Sequence, residues 1–201
     1  MEQGVENRQN EAAELSLCAY EGLLGTFFYD PEQFQIAQWQ VGNGVSRPVL
    51  RYIGSAVKKI AVPHGVVDLD YTFQGTGIVE PPRLPPTVRT ARYAFANCIR
   101  LVLGALLPEG IEDVTGMYQG CTMLVSGSCM PNSVLHGSYF YDGCVSLSVP
   151  YTVSRKLQDA TALYRNCKNL LFVPTLPEDI SRDEMLDGCV AFHSRQAQLM
   201  Y

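Results

Sequence analysis

Little in this chain looks like catalytic chemistry. It has no Cys-x-x-Cys pair and no Asn-x-Ser/Thr site. Gly-x-Gly occurs at Gly42–Gly44 and Gly75–Gly77, but neither continues into a phosphate-binding loop, so both read as turns. Its three histidines, His64, His136 and His193, occupy unrelated positions and do not converge as metal ligands or as a general base. No run of about 18 apolar residues exists, so no transmembrane helix is expected. The net charge is -5, and residues 1–57 carry seven acids against three bases while the rest carries 13 against 12. That balance lacks the basic footprint of a nucleic-acid binder. The polar, acidic start MEQGVENRQNEAAELS lacks the basic and apolar regions of a signal peptide, and the expectation is a cytoplasmic, reduced protein.

What the chain does have is a unit of about 23 residues written six times. Cys98, Cys121, Cys144, Cys167 and Cys189 form one column, with Thr76 in the same slot one step upstream. Pro63, Pro85, Pro108, Pro131 and Pro177 form a second, with Ser154 standing in once. Three residues after these come Val66, Val88, Ile111, Val134, Leu157 and Ile180. Three residues before the cysteine slot come Phe73, Phe95, Tyr118, Tyr141, Tyr164 and Leu186. The residue just before that slot is always Gly or Asn, which suits a corner with positive φ. A period of this length means a solenoid, because one coil cannot bury its own apolar side chains.

The pattern aromatic-x-x-Cys-x-x-Leu, then Leu-Pro-x-x-Val, resembles the BspA-like leucine-rich repeats over about residues 50–193. Tyr52-Ile53-Gly54, Ile60 and Val62-Pro63 resemble the start of such an array. The resemblance implies a binding surface without catalysis, and family members are often displayed outside cells.

The fold expected is thus a β-rich, leucine-rich-repeat-like solenoid with irregular or short helical back segments, closed by a small α+β cap. Residues 1–49 are assigned to the cap, with a helix over Asn10–Leu24, a strand over Gln33–Val41, a turn at Gly42–Gly44 and a returning strand over Val49–Ile53. Phe27, Phe28, Phe34 and Trp39 are its expected plugs. Residues 50–193 form six coils, and residues 194–201 a short tail. The cysteine column reads as small apolar filler, since one thiol per coil makes a line and not a tetrahedral site.

No cofactor is expected, and the partner expected is another protein. Inward residues after each cysteine follow period two (Leu101, Leu103, Ala105, Leu107) or period three (Leu101, Gly104, Leu107). Under either, Val102, Val125 and Leu171 point outward, as do Leu106, Cys129, Thr152 and Thr175, giving an apolar patch of the kind that marks a partner site. A covering second layer is the alternative. Arg155, Lys156, Arg165 and Lys168 concentrate positive charge in coil five, either as a solvated rim or as a contact for an anionic partner. An intracellular inhibitor or decoy suits a compact, leaderless example, for instance one carried by a phage or mobile element against a host defence enzyme. The alternatives are an exported adhesin and, after it, a nucleic-acid binder using the basic residues of coil five, and an open last coil would admit a second copy.

Overall fold

The computed structural model describes residues 17–41, 45–55 and 59–199. Two hairpins come first. Strands β1 (Cys18–Gly22) and β2 (Gly25–Tyr29) pair antiparallel, as do β3 (Phe34–Val41) and β4 (Val45–Tyr52). The helix expected over Asn10–Leu24 is therefore wrong from Cys18 onward, and its earlier part lies outside the described residues. The cause is cross-strand packing, which overrides helix propensity here. Tyr20 stands opposite Phe27 with ring centroids 5.2 Å apart. Gly25, the expected helix stop, instead closes a two-residue turn at φ 111°. The expected turn Gly42–Gly44 also falls outside the described residues.

Both hairpins attach to the first coil. The Val67 amide donates to the Leu24 carbonyl (2.9 Å) and the Tyr52 amide to that of Thr72 (2.9 Å). Phe34 is fully buried between Tyr52 and Phe73, Phe27 is buried, and Trp39 stacks on Tyr71 at 5.6 Å. Phe28 is no plug. It is 66% exposed, on the opposite face of β2 from Phe27.

Six coils follow, with short parallel bridges and no long strands. One ladder runs Asp68, Thr90, Asp113, His136, Asp159, Ser181, and a second runs Leu103, Ser126, Val149. Between coils two and three, the amides of Ala91, Tyr93, Phe95 and Asn97 donate to the carbonyls of Asp113, Thr115, Met117 and Gln119 at 2.7–2.9 Å. The core is a pile of rings: Phe73, Phe95, Tyr118, Tyr141 and Tyr164 stack nearly parallel at 5.1–5.7 Å.

The cysteine column is more than filler. Each thiol donates to a carbonyl of the preceding coil, Cys121 to Phe95 at 3.0 Å and Cys144 to Tyr118 at 3.1 Å. Burial pushes the Cys121 and Cys144 thiols far above their ordinary range, so both stay protonated donors. The Gly/Asn corners have positive φ, as at Gly120 (72°) and Asn166 (60°). A second left-handed column has no residue signature in the sequence: Tyr71, Tyr93, Gly116, Tyr139, Ala162 and Glu184, at 51–60°.

After the cysteine slot, neither expected inward phase holds. Leu101, Ala105 and Leu107 are buried, but Leu103 is 51% exposed and Gly104 half-buried. The neighbouring coil crowds this stretch: a Cβ on Gly104 would lie 2.5 Å from Ser128 Oγ and 2.6 Å from the Gly127 carbonyl carbon, so the two coils meet closely there. At the far end, helix α1 (Val190–Leu199) starts directly after Cys189, where a tail from 194 was expected. Its Ala191 amide donates to the Lys168 carbonyl (3.1 Å), and Phe192 packs on the core.

Candidate binding groove

At the proline slots each coil turns a concave corner. Just before the slot stand Leu106, Cys129, Thr152 and Thr175, all exposed, Leu106 at 80%. The next residue in each coil turns inward, so Leu107, Met130, Val153 and Leu176 make a floor. Beyond the corner, Glu109, Asn132 and Arg155 form an exposed rim. Together these rows bound a groove of about 1020 Å³ across coils three to six. Asn132 Oδ1 accepts the Arg155 amide (3.0 Å), which fixes the backbone from which the Arg155 side chain projects. Arg155 has no ion pair among the described residues.

The sequence-predicted site residues divide between three places. Leu106, Cys129, Thr152, Thr175 and Arg155 come together in the groove. Val125 (44% exposed) and Leu171 (43%) lie beside it, with Val102 half-buried between Val125 and Val79 in the same column. With Leu103 and Val149 they make the apolar ladder. Among the described residues, no second layer covers it. Lys156 is exposed one residue beyond the rim, and Lys168 is exposed next to Cys167.

Arg165 does not belong to a basic patch. It lies across the coil, bound to Asp142 at 2.8 Å and to Glu184, with its guanidinium 5.3 Å from the Tyr139 ring centre. Burial pushes the Asp142 carboxyl up, but hydrogen bonds from Arg165, Gln119 and Asn166 outweigh it and hold the group below its ordinary value. The expected four-residue anion contact is therefore absent as a cluster, because Asp142 and Glu184 neutralise one member.

That opposite side is a closed polar face. Asp70, whose side chain is fully buried, accepts from Arg47 and from Arg92 Nε (2.6 Å), and Arg47 also reaches Asp68 at 2.9 Å. Trp39, Tyr71 and Tyr93 stack along it at 5.4–5.6 Å, and Arg51 closes the Trp39 end at 4.9 Å. Asp70 and Asp142 on this surface thus find arginines within the chain.

A hydroxyl network lies under the groove. Tyr118 Oη accepts the Ala105 amide (2.7 Å) and pairs with Ser128 Oγ (2.8 Å). Tyr141 Oη accepts the Ser128 amide (2.7 Å) and donates to its carbonyl (3.2 Å). In the next coil Tyr151 replaces serine and turns outward to Ser126, and the buried Tyr164 hydroxyl has no partner among the described residues. The signal was present in the sequence as Ser128, a hydroxyl at an inward position.

Among the described residues no group of three or more His, Cys, Asp or Glu side chains is placed to hold a metal. No helix there is long and apolar enough to cross a membrane. No family model matches the chain, and no curated protein does. Two solved structures are similar. One is a leucine-rich repeat protein of Bacteroides ovatus, with 18% identity and a TM-score of 0.45, over 79% of this chain and 50% of that one. The other is a T. pallidum leucine-rich repeat protein, with 21% identity and a TM-score of 0.55, over 85% of this chain and 95% of that one. With the phased coils and the stacked core, that likeness makes the fold a leucine-rich-repeat solenoid.

Proposed function

We propose that this protein is a non-catalytic binder of another protein, built on repeats of the BspA-like type. The observation that carries the reading is the apolar ladder, uncovered among the described residues, where Val79, Leu103, Val125, Val149 and Leu171 are each at least 40% exposed and lie beside a groove. Contiguous apolar surface of this kind marks interaction sites on soluble proteins. Such a surface acts by occlusion, so the finer form of the proposal is an intracellular inhibitor or decoy, of the kind a phage or mobile element carries against a host enzyme. The exposed, unpaired thiol of Cys129 suits a reducing compartment.

The test is affinity capture from native lysate with the wild-type chain and with Val102, Val125 and Leu171 all changed to Asp. A stoichiometric partner that the folded triple variant fails to capture supports the reading. A folded triple variant that captures it at full strength sinks the ladder as the interface.

A further inference from the structure

The groove is asymmetric in charge, and the asymmetry says what fits it. Its rim carries Glu109 in coil three, the neutral Asn132 in coil four and Arg155 in coil five. Its floor at Met130 and Val153 is apolar and buried. Over coils three to five, a matching ligand therefore presents a cation at one end, an apolar group in the middle and an anion at the other. Coils stacked at about 4.8 Å put the two charged residues roughly 9.6 Å apart. A polyproline-II segment repeats every three residues and about 9.3 Å. Two side chains three apart on such a segment lie on one side, at nearly the spacing of Glu109 and Arg155. A β-strand puts residues i and i+3 on opposite faces and matches less well.

We propose that the groove binds an extended segment of a partner protein with the pattern Lys/Arg-x-x-Asp/Glu. The base faces Glu109, the acid faces Arg155, and an apolar residue between them covers Met130 and Val153. This rests on the reading of the chain as a protein binder and assigns the groove its ligand. Charge complementarity selects a peptide over a nucleic-acid backbone, because Glu109 repels phosphate along the same groove.

The test uses a random dodecapeptide display library panned on wild-type protein, on Arg155→Glu and on the double reversal Glu109→Arg/Arg155→Glu. Both positions are exposed, and circular dichroism checks that each variant is folded. Wild type is expected to enrich a base followed three residues later by an acid. The double reversal is expected to enrich the opposite order. A synthetic peptide from the wild-type pool should bind Arg155→Glu at least about tenfold more weakly by fluorescence polarisation, a loss of about 1.4 kcal/mol. Replacing its acid with Lys should restore much of the binding to that variant.

No enrichment, enrichment without the charge pair, or equal affinity for Arg155→Glu overturns the proposal. So does a labelled single-stranded oligonucleotide that binds more tightly than every selected peptide and is lost with Arg155→Glu. If lysate capture depends on Val102, Val125 and Leu171 but not on Arg155, the binder reading stands and the groove assignment alone fails.

Discussion

The two long faces of the solenoid are built from the same coils, yet they leave opposite things unfinished. On the polar face, Asp70 is held by Arg47 and Arg92, Asp142 by Arg165, and the rings of Trp39, Tyr71 and Tyr93 lie on one another. On the apolar face, Val125, Val149 and Leu171 meet solvent, and Arg155 overlooks the groove without an ion pair among the described residues. Charge count alone does not separate the faces. What separates them is whether each charge finds a partner one coil away, which depends on the column it occupies. A solenoid can thus spend one side on its own cohesion and keep the other for association.

The sharpest way to break that contrast is to open the polar face. Asp70→Ala removes a buried carboxylate that two guanidinium groups share, leaving Arg47 with Asp68 alone and Arg92 with only Asp113 at 3.9 Å. Breaking such a site is expected to cost roughly 3 kcal/mol. Urea unfolding measures it; a loss below about 0.5 kcal/mol would show that the polar face is ornament, not cohesion.

Next in size is a comparison of coils beneath the groove. Tyr141→Phe takes the hydroxyl from the Ser128 amide and strands a buried donor, for an expected loss of about 1–2 kcal/mol. Tyr164→Phe removes a hydroxyl that has no partner among the described residues and should be neutral or slightly stabilising. Equal losses at the two positions would mean that Tyr164 is hydrogen-bonded. Cys121→Ser belongs between them, since a hydroxyl can still donate to the Phe95 carbonyl.

Acid titration sharpens the comparison within the polar face. The folded-state pKa of Asp142 is depressed, so its stabilisation is present above the unfolded value of about 3.9 and lost as pH falls through the folded value. The gap between wild type and Asp142→Asn, expected near 1 kcal/mol at pH 7, should therefore close below pH 4. Asp68 has the opposite sign. Burial first, and then neighbouring Asp70, raise its pKa, so its contribution fades as pH rises through the folded value. Asp68→Asn should gain on wild type from pH 3 to pH 7. Parallel pH profiles for the two variants would contradict this account of the face.

The repeat register was legible because it is periodic, and a period survives ignorance of every local angle. The left-handed tyrosines were not legible. Tyr71, Tyr93 and Tyr139 carry no sequence signal for positive φ; their amides donate to the carbonyls of Arg92, Thr115 and Thr161 of the next coil, and those contacts between coils hold them there. The first hairpin was misread because Ala, Glu and Leu around Cys18 favour a helix locally, while the Tyr20–Phe27 contact that decides the matter is a pairing between strands. Exposure of the columns holding Leu106, Cys129, Thr152 and Thr175 followed from alternation around the proline slot. The groove did not, because concavity comes from how corners stack. That is also why Arg155, grouped by sequence with Arg165, turns out to share a site with Cys129 and Thr152 instead.

The smallest expected effect is the most telling about the apolar side. Arg155 overlooks the groove, is exposed and has no ion pair among the described residues, and only its backbone amide is held, by Asn132. Arg155→Ala keeps that amide and should change unfolding free energy by less than about 0.5 kcal/mol. Arg92 differs, because its guanidinium is one half of the Asp70 site and the Asp70 carboxylate also accepts its amide. Arg92→Ala should cost about 1–2 kcal/mol, discounted for the partial exposure of its side chain. Two arginines on one molecule, truncated in the same way, should thus separate in a single denaturation experiment. If Arg155→Ala destabilises as much as Arg92→Ala, Arg155 already has a partner within the chain. It would then not be free to meet a carboxylate from another protein.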